Sequence, residues 1–173
     1  MSQPKVEIRE AKPSDGRQLN HYIRSIFSTS KHLITRAEEF AMGPFKQRLW
    51  IAKKQVNPVE ICFIAQEGKK IIGMIDSWTD RRQRIAHVTC FAMSVAEDWR
   101  GKGVGKALLQ AFLDWIKQHP SITRVELHVH SDNEAAIKLY ESCGFVREGQ
   151  RKAAIKYEDG RIIDDIIMAY RPK

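Results

Sequence analysis

The run Arg100-Gly101-Lys102-Gly103-Val104-Gly105 stands between a strand-like segment and a segment of helical apolar periodicity. Glycines let a backbone come close to an anion, and the unpaired N–H groups of a helix start point at it. Arg100, Lys102 and Lys106 add the charge a diphosphate would need. Two common phosphate cradles are excluded by single residues. A P-loop requires Ser or Thr after its Gly-Lys pair, but Gly105-Lys106 is followed by Ala107, and Arg100 occupies the place of the first glycine. A dinucleotide fingerprint opening at Gly101 would need glycine where Lys106 stands. What remains is Arg100-x-x-Gly103-x-Gly105; a turn whose glycines serve close packing alone is the competing reading.

The surrounding elements follow from periodicity. Val6 to Arg9 alternates as a short strand, and Pro13-Ser14-Asp15 opens a helix carrying Leu19, Tyr22, Ile23, Ile26 and Phe27 on one face. Thr35-Arg36-Ala37-Glu38 has the form of a capping box, predicting a second helix that breaks at Gly43-Pro44 and resumes through Phe45, Leu49 and Trp50. Ile61 to Ala65 and Ile71 to Ile75 flank the turn-like Glu67-Gly68-Lys69-Lys70, and a third strand runs from His87 to Val95. After the Gly-rich run, Val104, Leu108, Phe112, Trp115 and Ile116 form a helical stripe that ends before Pro120. A strand at Val125 to Val129 precedes a short helix from Asn133 to Cys143, closed by Gly144. Two strands, Ala153 to Tyr157 and Ile162 to Tyr170, are joined by the turn signal Asp159-Gly160. The order predicts an α+β (mixed α/β) fold.

Size and charge bound the function. The 173 residues, 43% hydrophobic, suit one domain over 1–173 with a single sizeable core. No apolar run approaches a membrane span, and Met1-Ser2-Gln3-Pro4-Lys5 lacks a leader's apolar segment, so a cytoplasmic protein without a membrane partner is expected. Cys62, Cys90 and Cys143 show no metal or redox spacing and read as small buried hydrophobes, with no metal expected. The net charge of +8 is spread over the chain, with short clusters at Arg81-Arg82 and Arg151-Lys152, and no nucleic-acid partner is expected.

Two stretches together resemble a known family. Val95-x-x-x-Trp99-Arg100-Gly101-x-Gly103-Val104-Gly105-x-x-Leu108-Leu109 is similar to the acetyl-CoA signature of the GCN5-related N-acetyltransferases. Asn133-x-x-Ala136-x-x-Leu139-Tyr140-x-x-x-Gly144-Phe145 is similar to a second signature of that family, in the expected order. The resemblance runs from Val6 to Tyr170 and is firmest from Met93 to Phe145; Glu97 departs from the proline many members carry there. It implies a central twisted, mostly antiparallel mixed sheet flanked by helices, opened into a V between the strand ending at Val95 and the strand at Val125 to Val129.

The same resemblance implies acetyl-CoA as cosubstrate, its pantetheine arm beside Met93 and Val95 and its pyrophosphate on the N–H groups of Gly101, Lys102, Gly103, Val104, Gly105 and Lys106. Asn133 would touch the cofactor, or serve only as the helix N-cap that asparagine makes unaided. Tyr140 matches the position of a general acid for the departing sulfur, against the reading of a core tyrosine. The strand Thr89 to Val95 carries no carboxylate, so the base is open among His87, Asp76 and His128, with His87 titrating in the useful range. Glu38, Glu39, Asp76, Tyr157 and Asp165 are candidates for recognising a small-molecule or peptide amine at a site made by the first two helices and the final hairpin. Resemblance further implies a homodimer as one oligomeric state. A non-catalytic acyl-CoA-binding regulatory domain is the alternative that the missing strand carboxylate allows.

Overall fold

The computed structural model describes residues 5–172; residues 1–4 and 173, with most of the segment read for a leader, lie outside it. Seven strands form one sheet in the order β1-β2-β3-β4-β5-β7-β6. β1 (Val6–Glu10), β2 (Cys62–Glu67), β3 (Lys70–Thr79) and β4 (Val88–Val95) are a succession of antiparallel neighbours. β5 (Arg124–His130), β7 (Ile162–Tyr170) and β6 (Val146–Lys156) form a second antiparallel group. Parallel β4 and β5 join the groups through only three residue pairs, Val88 with Arg124, Thr89 with Val125 and Cys90 with Glu126. Beyond Cys90 the two strands are no longer paired, and α3 (Val104–Lys117) and α4 (Glu134–Ser142) pack against the core of this side.

The period-two alternation of β3 and β4 gives the sheet two faces. Ile75, Phe91, Leu108, Phe112, Ile116, Val125 and Met168 fill the core under α3 and α4. Each such large side chain, taken from water, contributes roughly 1.5–3 kcal/mol. On the other face α1 (Gly16–Thr29) and α2 (Pro44–Gln55) cover Cys62, Ile64 and Ile71 with Leu19, Ile23, Ile26 and Ile51. All three cysteines are free, Cys62 buried and the other two half-buried.

Three sequence expectations shift. Thr35 to Glu38 starts no α-helix; a single 3-10 turn at Ala37–Glu39 forms instead, where the Glu39 carboxylate accepts the Arg36 N–H at 2.9 Å. The capping pattern is therefore present one residue later but caps only a turn. Gly43-Pro44 is a beginning, with proline at the first position of α2, where its missing N–H costs nothing. The face of α2 that meets the core is Gln47, Ile51 and Lys54, while Phe45 and Leu49 are exposed. The strand expected at Ala153 begins at Val146, because its early part is an exposed edge of Arg, Glu, Gln and Lys without the alternation that marks a half-buried strand.

Candidate active site

The Gly-rich run makes its turn with Gly101 at φ +72° and Gly103 at φ +82°, left-handed conformations that cost an L-residue roughly 1 kcal/mol or more. A Cβ at either position would meet nothing within 4 Å, so these two glycines serve the backbone's shape and leave open space before it. Gly105 differs: a Cβ there would lie 3.3 Å from Leu139 Cδ2, so it lets α3 approach α4. The packing reading therefore holds for Gly105 and not for Gly101 or Gly103. The first helical hydrogen bond of α3 runs from Ala107 N–H to the Gly103 carbonyl, 3.0 Å. The N–H groups of Val104, Gly105 and Lys106 consequently face forward without helical partners, at the positive end of the helix dipole.

Those groups look into a cleft of about 490 Å³ lined by Met93, Ser94, Val95, Arg100, Gly101, Gly103, Gly105, Lys106, Asn133, Ala136, Leu139 and Tyr140, and also by Ser30, His32, Leu33 and Ala135. One wall is the stretch of β4 beyond its last pairing with β5, where backbone polar groups are left for another partner. The Arg100 Nε donates to the Val95 carbonyl at 3.1 Å, tying the turn to the end of that strand. The Lys102 ammonium lies 5.3 Å from the Trp99 ring centre and the Val104 side chain turns into the core, so neither side chain lines the cleft. Asn133 caps α4, its Oδ1 accepting the Ala136 N–H at 3.3 Å, and also faces the cleft.

Tyr140 is 7% exposed and packs edge-on to Phe91 and against Phe145, ring centres 5.8 and 5.9 Å away. Burial alone pushes its phenol up to about 12, so it holds its proton throughout the neutral range. His87 is not brought here. It is exposed in the turn before β4, separated from Ser94 by on the order of 20 Å of strand, because β4 runs from it towards the cleft. His128 is exposed on β5, its Nδ1 2.7 Å from Asp165 Oδ2, and Asp165 is wholly buried beside Arg151. Glu38 pairs with Arg36, and Glu39 closes its own turn.

Asp76 lies elsewhere, and more tellingly. It stands opposite Ala92 across β3 and β4, on the face covered by α1 and α2. There it lines a cavity of about 250 Å³ with Ile23, Ile26, Phe27, Leu33, Phe40, Met42, Gln47, Trp50, Met74, Ala92, Met93 and Ser94. Leu33, Met93 and Ser94 line both cavities, so β4 is their common wall. Lys54 Nζ reaches Asp76 at 2.9 Å, Glu60 at 3.1 Å and the Ser77 carbonyl. Burial nevertheless raises the Asp76 carboxyl to about 6, with Lys54 opposing the rise.

Further polar groups lie near the cleft, of which only Tyr157 was a candidate from the sequence. Tyr22 shares a 3.0 Å hydrogen bond with Ser94, and His32 Nε2 sits 3.3 Å from Asp132 Oδ1. Tyr157 donates to Asp132 at 2.9 Å and lies 2.9 Å from His130 Nδ1. Burial lowers the pKa of both histidines, favouring neutral rings. Their residues come from the loop after α1, the end of β5 and the β6–β7 hairpin, and no local pattern marks them. Among the described residues no group of three or more His, Cys, Asp or Glu is placed to hold a metal, and no helix is long and apolar enough to cross a membrane.

Comparison with known proteins agrees with this geometry. Residues 21–145 match the model of the acetyltransferase (GNAT) family. The L-amino acid N-acetyltransferase AaaT of Escherichia coli is 32% identical over 100 residues, 57% of this chain and 60% of that protein, so the match spans less than two thirds of that relative. A GNAT-family acetyltransferase from Streptococcus pneumoniae superposes with a TM-score of 0.93 at 23% identity, covering 98% of this chain and 100% of that one. The structure of yncA from Salmonella typhimurium, determined with its cofactor acetyl-CoA, gives 0.83 at 18% identity, with 96% and 94% covered. The chain belongs to the acetyltransferase (GNAT) family.

Proposed function

We propose that the protein transfers an acetyl group from acetyl-CoA to a primary amine of a small molecule or peptide. The observation that carries this reading is the unpaired stretch of β4 facing the glycine-bent start of α3, with the Tyr140 phenol in the same cleft. The residues fit the cosubstrate: forward N–H groups at a helix start suit a pyrophosphate, and an unpaired strand edge suits the two amides of pantetheine. Gly101 to Lys106 hold the anion, with Arg100 and Lys106 adding charge, and Met93 and Val95 offer backbone groups to the arm. Asn133 keeps its cap and presents its amide nitrogen to the cleft.

Bound there, acetyl-CoA supplies a thioester carbonyl for the amine to attack. The C–N bond forms, the C–S bond breaks, and the amine sheds a proton while sulfur gains one. Tyr140, held protonated by burial, donates to the sulfur. Asp76, whose carboxyl is tuned to about 6 on the opposite face of β4, takes the amine's proton. E. coli AaaT is named for L-amino acids and a Vibrio cholerae relative for spermidine, so relatives' names leave the acceptor open. The test is CoA thiol release from acetyl-CoA across a panel of amines and peptides, alongside thermal stabilisation by acetyl-CoA. Turnover with any amine supports transfer. Stabilisation with background thiol release across the panel would establish the non-catalytic alternative instead.

A further inference from the structure

The cavity under α1 and α2 has a composition that specifies its occupant. Its walls are apolar: Ile23, Ile26 and Phe27 from α1, Phe40 and Met42 from the following loop, and Trp50 from α2. The loop is pinned over it, because Asn20 Nδ2 and Arg24 Nη2 both donate to the Met42 carbonyl at 2.9 Å and Phe27 meets Phe40 edge-on at 5.2 Å.

Within this apolar surround Gln47 Oε1, on a side chain only 1% exposed, is a buried acceptor with no hydrogen-bond partner. Asp76, ion-paired to Lys54 through Oδ1 at 2.9 Å, is the one carboxylate among the described lining residues. A buried acceptor left unmade is costly, so Gln47 marks a missing donor. A primary amine carries several N–H donors, and the carboxylate favours its cationic form.

The rest of the ligand is limited in the same way. Among the described lining residues no arginine or free lysine faces the cavity, the Lys54 ammonium being shared among Asp76, Glu60 and Ser77. A carboxylate on the ligand would enter an apolar site unpaired. A second ammonium would find no second carboxylate among the described lining residues. About 250 Å³ admits roughly eight to ten non-hydrogen atoms, judged by the 30 Å³ share of a water. Ser94 and Met93 bring the cavity to the wall of the α3 cleft, where an amine would meet the thioester.

We propose that this cavity is the acceptor site and takes a primary amine on a small uncharged apolar body, its nitrogen held by Asp76 and Gln47. The assignment rests on the acetyl-transfer reading and deepens it. Free amino acids and polyamines are then poor acceptors, each adding a charge the walls cannot meet.

The experiment compares 2-phenylethylamine and 3-methylbutylamine with leucine, spermidine and an alanyl peptide, by CoA thiol release and by thermal shift of the protein with saturating CoA. The two apolar amines should exceed leucine and spermidine in kcat/KM at least 100-fold. Ala92→Leu, which adds bulk to the cavity lining, should raise KM for them about tenfold or more and leave stabilisation by acetyl-CoA unchanged. Gln47→Leu should act in the same direction, with Gln47→Glu retaining amine binding. Preference for leucine, spermidine or the peptide would overturn this assignment while leaving acetyl transfer standing. So would apolar amines that neither react nor shift the CoA-loaded protein, or an Ala92→Leu variant with unaltered KM. Absence of both thiol release and acetyl-CoA stabilisation would overturn the transfer reading itself.

Discussion

The cleft under α3 and the cavity under α1 and α2 lie on two sides of the same strand but are made from different material. The first is mostly main chain: two left-handed glycines, three forward N–H groups and an unpaired length of β4. The second is mostly side chain, gathered from α1, α2, β3 and β4 around Asp76 and Gln47. Main-chain recognition tolerates change in nearly every side chain except glycine, whereas a cavity of side chains changes its ligand with one substitution. A family can therefore keep one donor and take many acceptors, and the boundary between the constant and the variable halves here is β4.

Substitutions on either side of β4 test that division. The largest effect is expected from Tyr140→Phe, which removes one oxygen and no apolar surface: kcat should fall about 10²–10³-fold, the usual contribution of a placed proton donor, with acetyl-CoA binding intact. Unchanged kcat would leave Tyr140 as a core residue beside Phe91 and Phe145. Next comes pH. Above about 6 Asp76 is ionised, and below it kcat/KM for the amine should drop nearly tenfold per unit. The groups facing it are the charged Lys54 from α2 and Glu60 before β2, and the buried Cys62 thiol on β2, which burial keeps protonated.

Stability should move the other way. The folded carboxyl is raised from 3.8 to about 6, so its stabilising contribution is full below 3.8 and lost as pH climbs through 6. Asp76→Asn should remove both slopes, cutting activity without lowering Tm at neutral pH. A variant that loses activity only by unfolding would make Asp76 a structural residue. The smallest effects separate the glycines. Gly103→Ala should cost about 1 kcal/mol of stability and weaken acetyl-CoA several-fold, because its φ of +82° must be kept for the N–H groups to face forward. Gly105→Ala should lower Tm through the 3.3 Å approach to Leu139 and leave acetyl-CoA affinity less changed. Equal losses of affinity would mean the two glycines share one role.

The same contrast explains what could be read in advance. The Gly-rich turn, its helix and the Asn133 to Phe145 segment are local patterns, and all of them were legible as a motif. The sheet was legible wherever one face is buried, as in β3, β4 and β7. The long polar edge of β6 carries no such alternation. Gln47 sits at helical spacing from Ile51 and Lys54, but with Phe45 and Leu49 nearby it is the hydrophobic residues that suggest the inward face, and those two are exposed. His32, Asp132 and Tyr157 meet only through the fold, being far apart in sequence. His87 illustrates the converse: a titratable residue just before the right strand, at its wrong end.

The parting of β4 from β5 has a mechanical consequence. Three residue pairs are the whole ladder between the β1–β4 group and the β5–β7–β6 group, so the sheet is hinged along the line where its ligand would lie. A molecule that bonds to β4 on one side and to α4 on the other acts as a rivet across that seam. Hydrogen exchange at Val88 to Cys90 should therefore slow on acetyl-CoA binding, although those amides lie well outside the cleft.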